Sequence, residues 1–437
     1  MKRKQFIKNA ALTAAGSMVV PYILPSGRLF AATGNRKADH VVFCLFAGGV
    51  RNLESVLKAE GNLMKNTLNG SESISSDIAP GITQMPLIAS SPLQNNGTLF
   101  KRIKYANGPT GHYNGHTTAI TGKYSDESIQ LKQPPKYPTI FEYYRKHNSP
   151  TNSALNAWWV SNALGPYPYL NYSLFDGYGA AYGANMIQPY SIFNGNSAYE
   201  LGSPLTLSQT EKAKCDMMRD FMSGQFKVPQ VAASSGIVNT KTDAEHLQTF
   251  LNSMITRTTA GEFNAPLGSA VATGDTLNIA FGIEVMKEFK PELMVINMTD
   301  IDIAHFDYTK YASAIGVADF ALYKLWDAIQ TTDGMRDNTI LIVMPEHGRN
   351  EQPNTVIDAY GRYALDHNND QMSREVFCLI AGPTGRMAPA QVIDLPYNHP
   401  NIGQSVDVVP TIANILGFDN EIPFGMLDGR VLSEAFL

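Results

Sequence analysis

Four continuous apolar segments constrain the fold of this 437-residue chain more than any other feature of its sequence. They lie at 40–46, 293–298, 339–344 and 376–381 and are rich in Val, Ile, Leu and Phe. Because their apolar residues are consecutive rather than alternating, each segment is predicted to be a β-strand covered on both faces. Such strands are typical of a parallel sheet that lies between helices.

Helical patterns separate these segments along the chain. The clearest covers 308–331, where aromatic and aliphatic residues recur at helical spacing. Further helices are predicted at 209–223, 243–256, 278–289 and 406–416. The alternation of strands and helices predicts an α/β fold, in which a doubly wound, mainly parallel sheet is flanked by helices on both faces.

The first 32 residues have the character of an export signal. They contain five basic residues and no acidic one, then a weakly apolar stretch at 10–24, and they end in Ala31-Ala32. We expect a signal peptide at 1–32, read either by a twin-arginine-like or by a secretory route, and one α/β domain at 33–437. An uncleaved anchor is the alternative. The predicted location is the periplasm, the cell surface or the medium, with no membrane span in the mature chain.

Charge and cysteine content exclude two classes of protein, nucleic-acid binders and proteins built on a disulfide framework. Without the five basic residues of 1–32, the chain keeps 29 basic and 39 acidic residues, a net charge of about −10. Such a surface repels a phosphate backbone, so no nucleic-acid partner is expected. The three cysteines cannot form a disulfide framework, and Cys44 and Cys378 are predicted to be buried in strands.

Residues 161–199 differ from the rest of the chain. They contain seven tyrosines, many Gly, Asn, Pro and Ser residues, and a single charged residue, Asp176. A long irregular aromatic segment predicts a functional loop or a cap inserted into the domain. It could form a substrate wall or a surface that packs against a protein partner, and the sequence favours neither.

Histidines and carboxylates lie at the ends of the predicted strands. The segment 47–52 is a glycine turn predicted to lead into a helix, 299–305 and 345–350 follow the next two strands, and 366–370 precedes the last. Loops at the carboxyl edge of a parallel sheet converge, so we expect these side chains to meet there. Imidazole and carboxylate are ligands of divalent cations, with Zn²⁺ expected first and Mn²⁺, Mg²⁺ and Ca²⁺ as alternatives. The candidate ligands are Asp302, His305, Glu346, His347 and His367.

Over most of 38–437 these motifs resemble the alkaline phosphatase and sulfatase superfamily. Glu346-His347-Gly348 is similar to its Asp-His-Gly metal motif, and His367 to its last metal histidine. Other matching segments are Asp302-Ile303-Ala304-His305, residues 119–124 after the position of the nucleophile, and the tail at 405–417 and 428–432. The order of Gly48-Gly49, Asp-x-x-His, Glu-x-Gly-Arg and Asp-His is closest to a branch of uncharacterised exported proteins with twin-arginine signals.

The resemblance implies an alkaline phosphatase-like sandwich and a metal-dependent hydrolase of phosphate or sulfate esters. The chain departs from the pattern at three places. Ala47 or a neighbour of it stands where the phosphatases place a metal-binding Asp, Glu346 replaces the Asp of Asp-His-Gly, and the Asp302–His305 spacing is one residue short. His112 stands where the nucleophilic Ser, Thr or Cys falls. It could bind metal, act as a general base or attack phosphorus, and Thr117 or Thr118 is the alternative nucleophile.

Other roles stay open at this point. Arg349 and Arg51 could clamp an anionic group or form structural ion pairs. Asp300 could replace Asp302 as a ligand, and Asp366 could join His367.

Two functions are therefore expected from the sequence. The first is an exported metal-dependent hydrolase of an anionic small-molecule or glycan ester. The alternative is a catalytically inactive relative that acts as a binding or structural protein at the cell surface, where it would have a protein partner.

Overall fold

The computed structural model describes residues 35–125, 134–149, 152–162, 170–190, 192–193, 237–269, 272–368 and 370–437. The signal peptide predicted at 1–32 and the helix predicted at 209–223 lie outside the described residues. Among the residues that are described, no helix combines the length and the apolar character needed to cross a bilayer.

Within the described chain, eight strands form one sheet in the order β4-β3-β5-β1-β6-β7-β2-β8. Their bounds are β1 His40–Phe46, β2 Gly97–Lys104, β3 Ala157–Val160, β4 Asn185–Ile187, β5 Leu293–Met298, β6 Thr339–Pro345, β7 Glu375–Ala381 and β8 Gln391–Ile393. The four strands predicted from apolar runs are confirmed. They are β1, β5, β6 and β7, which occupy the four central positions of the sheet. Of the described strands, only β7 runs against its neighbours β6 and β2.

Of the four apolar runs, the one at 376–381 forms the antiparallel strand β7. A continuous apolar run reports burial on both faces, and it carries no information on strand direction. The sheet is mainly parallel, as predicted.

Six α-helices of the described chain flank this sheet. They are α1 His112–Thr121, α2 Ile140–His147, α3 Lys241–Thr259, α4 Gly274–Phe289, α5 Tyr308–Thr331 and α6 Val408–Ile415. The helix predicted at 308–331 matches α5, which begins where the Asp307 side chain accepts the backbone N–H of Lys310. The helix expected after the glycine turn at 47–52 does not form; residues 52–57 are turns, and Lys58 then takes a positive φ of 51°.

The helices cover the sheet on both faces. Alternate residues of β1 point to opposite sides, so Val42, Cys44 and Phe46 lie in one apolar core and Val41, Phe43 and Leu45 in the other. Helices α3, α4 and α5 contribute to the first core, and α1, α2 and α6 to the second. The doubly wound α/β fold is thereby confirmed, and Cys44 and Cys378 are buried as predicted.

The aromatic segment at 161–199 is described only in part. It contains β4, which pairs in parallel with β3 at one edge of the sheet. The segment thus supplies an edge strand as well as loops. The sequence did not predict this strand, because β4 has only three residues and lies among Gly and Tyr residues. The buried Glu142 of α2 anchors the loop between β3 and β4, because it accepts hydrogen bonds from the Ser173 hydroxyl at 2.7 Å and the Gly179 N–H at 2.6 Å.

Candidate metal centre

The topology brings the predicted site residues to one edge of the sheet. β5 leads into a 3₁₀ turn at Asp300–His305, and β6 leads directly into Glu346. Because β7 is antiparallel, the segment before it, with His367, lies at that same edge. β2 ends at Lys104 at this edge, and the loop after it leads to His112, the first residue of α1.

The side chains form two overlapping groups that share His112. The first group adds Asp302, His305 and His367, and the second adds Glu346 and His347. Within each group the potential ligand atoms lie no more than 4.8 Å apart. The structure therefore brings together all five residues predicted to bind metal.

Three of the histidines have the hydrogen bonding of metal ligands. Each places its Nδ1 atom against an oxygen: His305 against Asp366 Oδ1 at 2.7 Å, His347 against the Gly348 carbonyl at 2.7 Å, and His367 against the Thr110 carbonyl. An oxygen acceptor holds the proton on Nδ1 and leaves the lone pair on Nε2 for a cation. The Nε2 atoms of His347 and His367 are buried and have no hydrogen-bond partner.

The electrostatic environment keeps these three rings neutral. Burial is the largest cause that lowers the pKa of His305, His347 and His367 below the ordinary value, and the nearby charge of Arg349 adds to it. A neutral imidazole is the form that ligates a cation. Unpaired Nε2 atoms beside a carboxylate are thus a donor set that fits a divalent metal.

His112 has a different protonation state from these three histidines. Its Nδ1 lies 2.7 Å from Glu346 Oε1 and its Nε2 lies 3.1 Å from Asp302 Oδ1. Burial opposes a charge on the ring, but Glu346 and Asp302 outweigh it and raise the pKa of His112 to about 10. Because both ring nitrogens face carboxylates, the ring is an imidazolium and has no lone pair for nucleophilic attack.

Glu346 is the buried anion of the cluster. Its Oε1 accepts the Gly48 N–H at 2.6 Å, and its Oε2 pairs with Nδ1 of His116. Burial raises the cost of its charge, yet His116 and His112 hold the pKa of Glu346 well below its usual range. His116 was not among the predicted site residues, although its position four residues after His112 on a helix places both on one side of α1.

Of the two roles considered for Arg349, an anion clamp and a structural ion pair, the structure shows the ion pair, with Asp302. It is 0% exposed, and its guanidinium donates to the carbonyls of Gly48 and Leu365 and, at 2.8 Å, to Asp302 Oδ1. Its donors are directed at the protein, so it orients Asp302 and is not presented to solvent. His112 and Arg349 together outweigh burial and hold the pKa of Asp302 below its usual range.

The other sequence candidates have local partners. The Thr117 hydroxyl donates to the Tyr113 carbonyl inside α1, and Thr118 lies beside Tyr105. Arg51 forms an ion pair with Glu54, as its structural interpretation predicted.

The two acidic alternatives are also placed. Asp300 accepts the N–H of Asp275 at 2.8 Å and so caps the start of α4. Asp366 supports His305 and is not grouped with His367 as a ligand.

The glycine turn after β1 allows the close approach of the ligands. Gly48 and Gly49 have positive φ angles of 98° and 72°. A Cβ atom on Gly48 would lie 2.4 Å from the Asp302 nitrogen, and one on Gly49 would lie 2.3 Å from His347 Nδ1. Ala47, which precedes them, offers no ligand, and its N–H donates to the Met298 carbonyl.

Comparison with known proteins gives structural matches alone. No family model and no curated protein matches the sequence. The chain is similar to a protein in the alkaline phosphatase superfamily from Vibrio parahaemolyticus, at 12% identity over 97% of this chain and 80% of that one, with a TM-score of 0.40. A phosphonate monoester hydrolase from Silicibacter pomeroyi matches at 14% identity over 90% and 75%, with a TM-score of 0.42.

A 2-O GAG sulfatase matches at 12% identity over 91% of this chain and 73% of that one, with a TM-score of 0.46.

Proposed function

We propose that the protein is an exported, metal-dependent hydrolase of phosphate or sulfate esters. One observation carries the proposal. In His305, His347 and His367 the Nδ1 atom lies against an oxygen, so the lone pair of Nε2 is available to a cation, and two of these rings, His305 and His367, are grouped with Asp302. The nitrogen-rich donor set favours Zn²⁺ over Mn²⁺, Mg²⁺ or Ca²⁺. The basic, acid-free stretch at 1–32 supports export.

The exposed side of the cluster is where an ester would enter. The side chains of Asp302, His305 and His112 are 45%, 24% and 21% exposed, whereas that of Glu346 is 0% exposed. When bound, a divalent cation neutralises the charge of an anionic ester and lowers the pKa of a coordinated water. Asp302 and His305 would hold it at the entrance to the site.

His112 supplies positive charge at the same entrance. It is the first residue of α1, where the helix end adds a partial positive charge. As an imidazolium it can bind an anionic oxygen and donate its Nε2 proton to a leaving group. Position 112 has no hydroxyl, so water and not an enzyme alcohol is the proposed nucleophile. The proposed substrate is an anionic small molecule or a glycan ester.

Turnover of simple esters tests the proposal. The full-length protein, stripped of metal and reloaded with Zn²⁺, should hydrolyse at least one of an aryl phosphate, an aryl phosphodiester and an aryl sulfate. His305→Ala should lower turnover by about 100-fold because it removes a ligand. His246→Ala is the matched control, since His246 lies exposed on α3 and pairs with Glu288.

Two results would contradict the proposal. Equal turnover in His305→Ala and in the unaltered protein would show that the metal centre takes no part in the reaction. Zinc-loaded protein without turnover on any of the three esters would favour the catalytically inactive relative, for which Ala47 and the missing hydroxyl at position 112 are the motivation.

A further inference from the structure

A large cavity lies beside the candidate metal centre. Its volume is about 920 Å³, at the upper end of the range for small-molecule sites. The 3₁₀ turn after β5 separates the two, because Asp300 and Ile303 line the cavity while Asp302 and His305 belong to the candidate ligands. Asp300 and Asp302 are two positions apart, and consecutive Cα atoms are about 3.8 Å apart, so one ester can reach both the cavity and the cation site.

Two half-exposed tyrosines line this cavity. Tyr360, in the loop between β6 and β7, is 54% exposed, and Tyr190, after β4, is 48% exposed. Aromatic rings that remain in contact with water gain free energy when a ligand with an apolar face covers them. The cavity therefore offers two aromatic surfaces to a ligand.

The Tyr360 ring is held in a fixed position although it is exposed. Asp358 Oδ1 accepts the N–H groups of Tyr360 and Arg362, both at 2.9 Å, and its Oδ2 accepts the Thr309 hydroxyl at 2.6 Å, which ties the loop to α5. The Arg362 guanidinium lies 5.3 Å from the centre of the ring. Gly81 packs so closely that a Cβ atom there would lie 2.1 Å from Tyr360 Cζ. A ligand that stacks on this ring therefore loses little free energy in ordering it.

The wall that carries Tyr190 is also fixed by hydrogen bonds. The buried Asn162 accepts the Tyr190 N–H with Oδ1 at 2.8 Å, and its Nδ2 donates to the carbonyl of Gly274, the first residue of α4, at 3.4 Å. A Cβ atom on Gly274 would lie 2.6 Å from Asp300 Oδ1 and 3.1 Å from Asn162 Nδ2. Close packing thus sets the shape of this side of the cavity.

The charges around the cavity do not suit an anion. Of the described residues that line it, Lys310 alone is basic, and its Nζ lies 3.2 Å from Asp307 Oδ2. The second acidic residue, Asp300, accepts the N–H of Asp275 at 2.8 Å and so occupies the start of α4. An anionic group here would face two carboxylates, and like charges oppose binding. The anionic group of an ester therefore belongs at the cation site, and an uncharged part belongs in the cavity.

The remaining lining is suited to hydroxyl groups. Asn162, Thr273 and Ser313 provide amide and hydroxyl groups, and Asp300 provides a carboxylate. Such groups both donate and accept hydrogen bonds, as sugar hydroxyls do. A sugar ring also has an apolar C–H face, which fits the negatively charged face of an aromatic ring.

We propose that this cavity binds the uncharged sugar units of a glycan, with Tyr360 and Tyr190 as stacking surfaces. The proposal rests on the proposed function for the ester itself, whose anionic group lies at the cation. It makes the substrate a neutral glycan with isolated phosphate or sulfate groups, and not a densely charged polyanion. Sugar binding in the cavity needs no metal.

Native affinity electrophoresis of the metal-free, full-length protein tests the proposal. Gels are cast with one of four neutral polysaccharides, namely galactomannan, xyloglucan, arabinoxylan and mixed-linkage β-glucan, or with dextran sulfate. We expect retardation in at least one neutral gel and none in dextran sulfate. Unchanged mobility in all four neutral gels, or retardation in dextran sulfate alone, would overturn the proposal.

Substitutions of the exposed ring locate the binding. Tyr360→Ala should raise the dissociation constant for the retarding polysaccharide by about 10-fold, whereas Tyr360→Phe, which keeps the ring, should bind as the unaltered protein does. Tyr363→Ala is the matched control, because Tyr363 lies in the same loop, is 51% exposed and does not line the cavity. Equal retardation of Tyr360→Ala and the unaltered protein would overturn the assignment to this cavity.

The outcomes separate this inference from the proposed function. Retardation that depends on Tyr360, in a protein that hydrolyses none of the aryl esters, would support the sugar site and contradict the hydrolase. Hydrolysis of an aryl ester by a protein that no neutral gel retards would overturn the sugar site and leave the hydrolase standing.

Discussion

The Nδ1 atom of His305 lies 2.7 Å from Oδ1 of Asp366, which also accepts a hydrogen bond from Asn354 at 3.1 Å. His305 is contributed by the turn after β5 and Asp366 by the segment before β7. The contact therefore links two chain segments that the sheet brings to one edge. It fixes the tautomer and the orientation of the ring, so that Nε2 is directed to the proposed cation site.

Replacing Asp366 should weaken metal binding without unfolding the protein. In Asp366→Ala the His305 ring loses its acceptor, and we expect the dissociation constant for Zn²⁺ to rise by about 10- to 100-fold. Competition with a chromophoric zinc chelator measures it. Asp327→Ala, at an exposed position of α5, is the matched control. Equal constants for Asp366→Ala and the unaltered protein would show that the carboxylate has no supporting role.

A methyl group at position 49 should disrupt the centre. Gly49 has a φ of 72°, and the added Cβ would lie 2.3 Å from His347 Nδ1. Gly361 has a similar φ of 80° with no atom within 4 Å of the added Cβ, so Gly361→Ala reports the backbone strain alone. We expect a loss of about 1–2 kcal/mol in the free energy of unfolding for Gly361→Ala, and a larger loss, with weaker zinc binding, for Gly49→Ala.

Urea denaturation of the metal-free proteins measures both losses. Gly49→Ala that is no less stable than Gly361→Ala, and that binds zinc normally, would contradict the close approach of the turn to His347.

A buried carboxyl on α5 should make stability depend on pH. Asp319 accepts the backbone and side-chain N–H groups of Asn66, both at 2.9 Å, and burial raises its pKa to about 6. The folded protein then binds a proton more tightly than the unfolded chain. The free energy of unfolding should therefore fall as pH rises from about 4 to about 6, by about 3 kcal/mol at most.

Asp319→Asn should abolish this part of the pH dependence, because an amide does not ionise. Urea denaturation at several pH values in this window, with Asp327→Asn as the control, measures the difference. Parallel pH profiles for Asp319→Asn and the unaltered protein would contradict the assignment to this carboxyl.

Most of what positions the site could be predicted from the sequence. Buried strands such as β1 and β6 are apolar after their first residue, and the polar residues that follow them, among them His347, must then lie at the edge of the sheet. The convergence of Asp302 and His305 with Glu346 and His347 follows from that rule, whereas His367, which precedes β7, reaches the same edge only because β7 is antiparallel. The direction of β7 does not follow from the rule, because a buried strand has the same composition in either direction.

The details of the site depend on contacts between distant segments. His116 is one of several polar residues on α1, and its partners Glu346 and Asn297 come from the residue directly after β6 and from β5. Arg349 follows a strand, as several candidate ligands do. Its guanidinium N–H groups, however, donate to backbone carbonyls of two other segments. Sequence spacing identifies such residues as candidates, and only the packed structure shows whether they face a substrate or the protein.

The central claim is a divalent cation held by Asp302, His305 and His367. Crystals of the zinc-loaded protein, measured at the zinc absorption edge, test it most directly through the anomalous difference density. We predict a peak about 2.0–2.1 Å from Nε2 of His305 and of His367, with Asp302 as an oxygen ligand. The absence of a peak at His305 and His367 would contradict the claim.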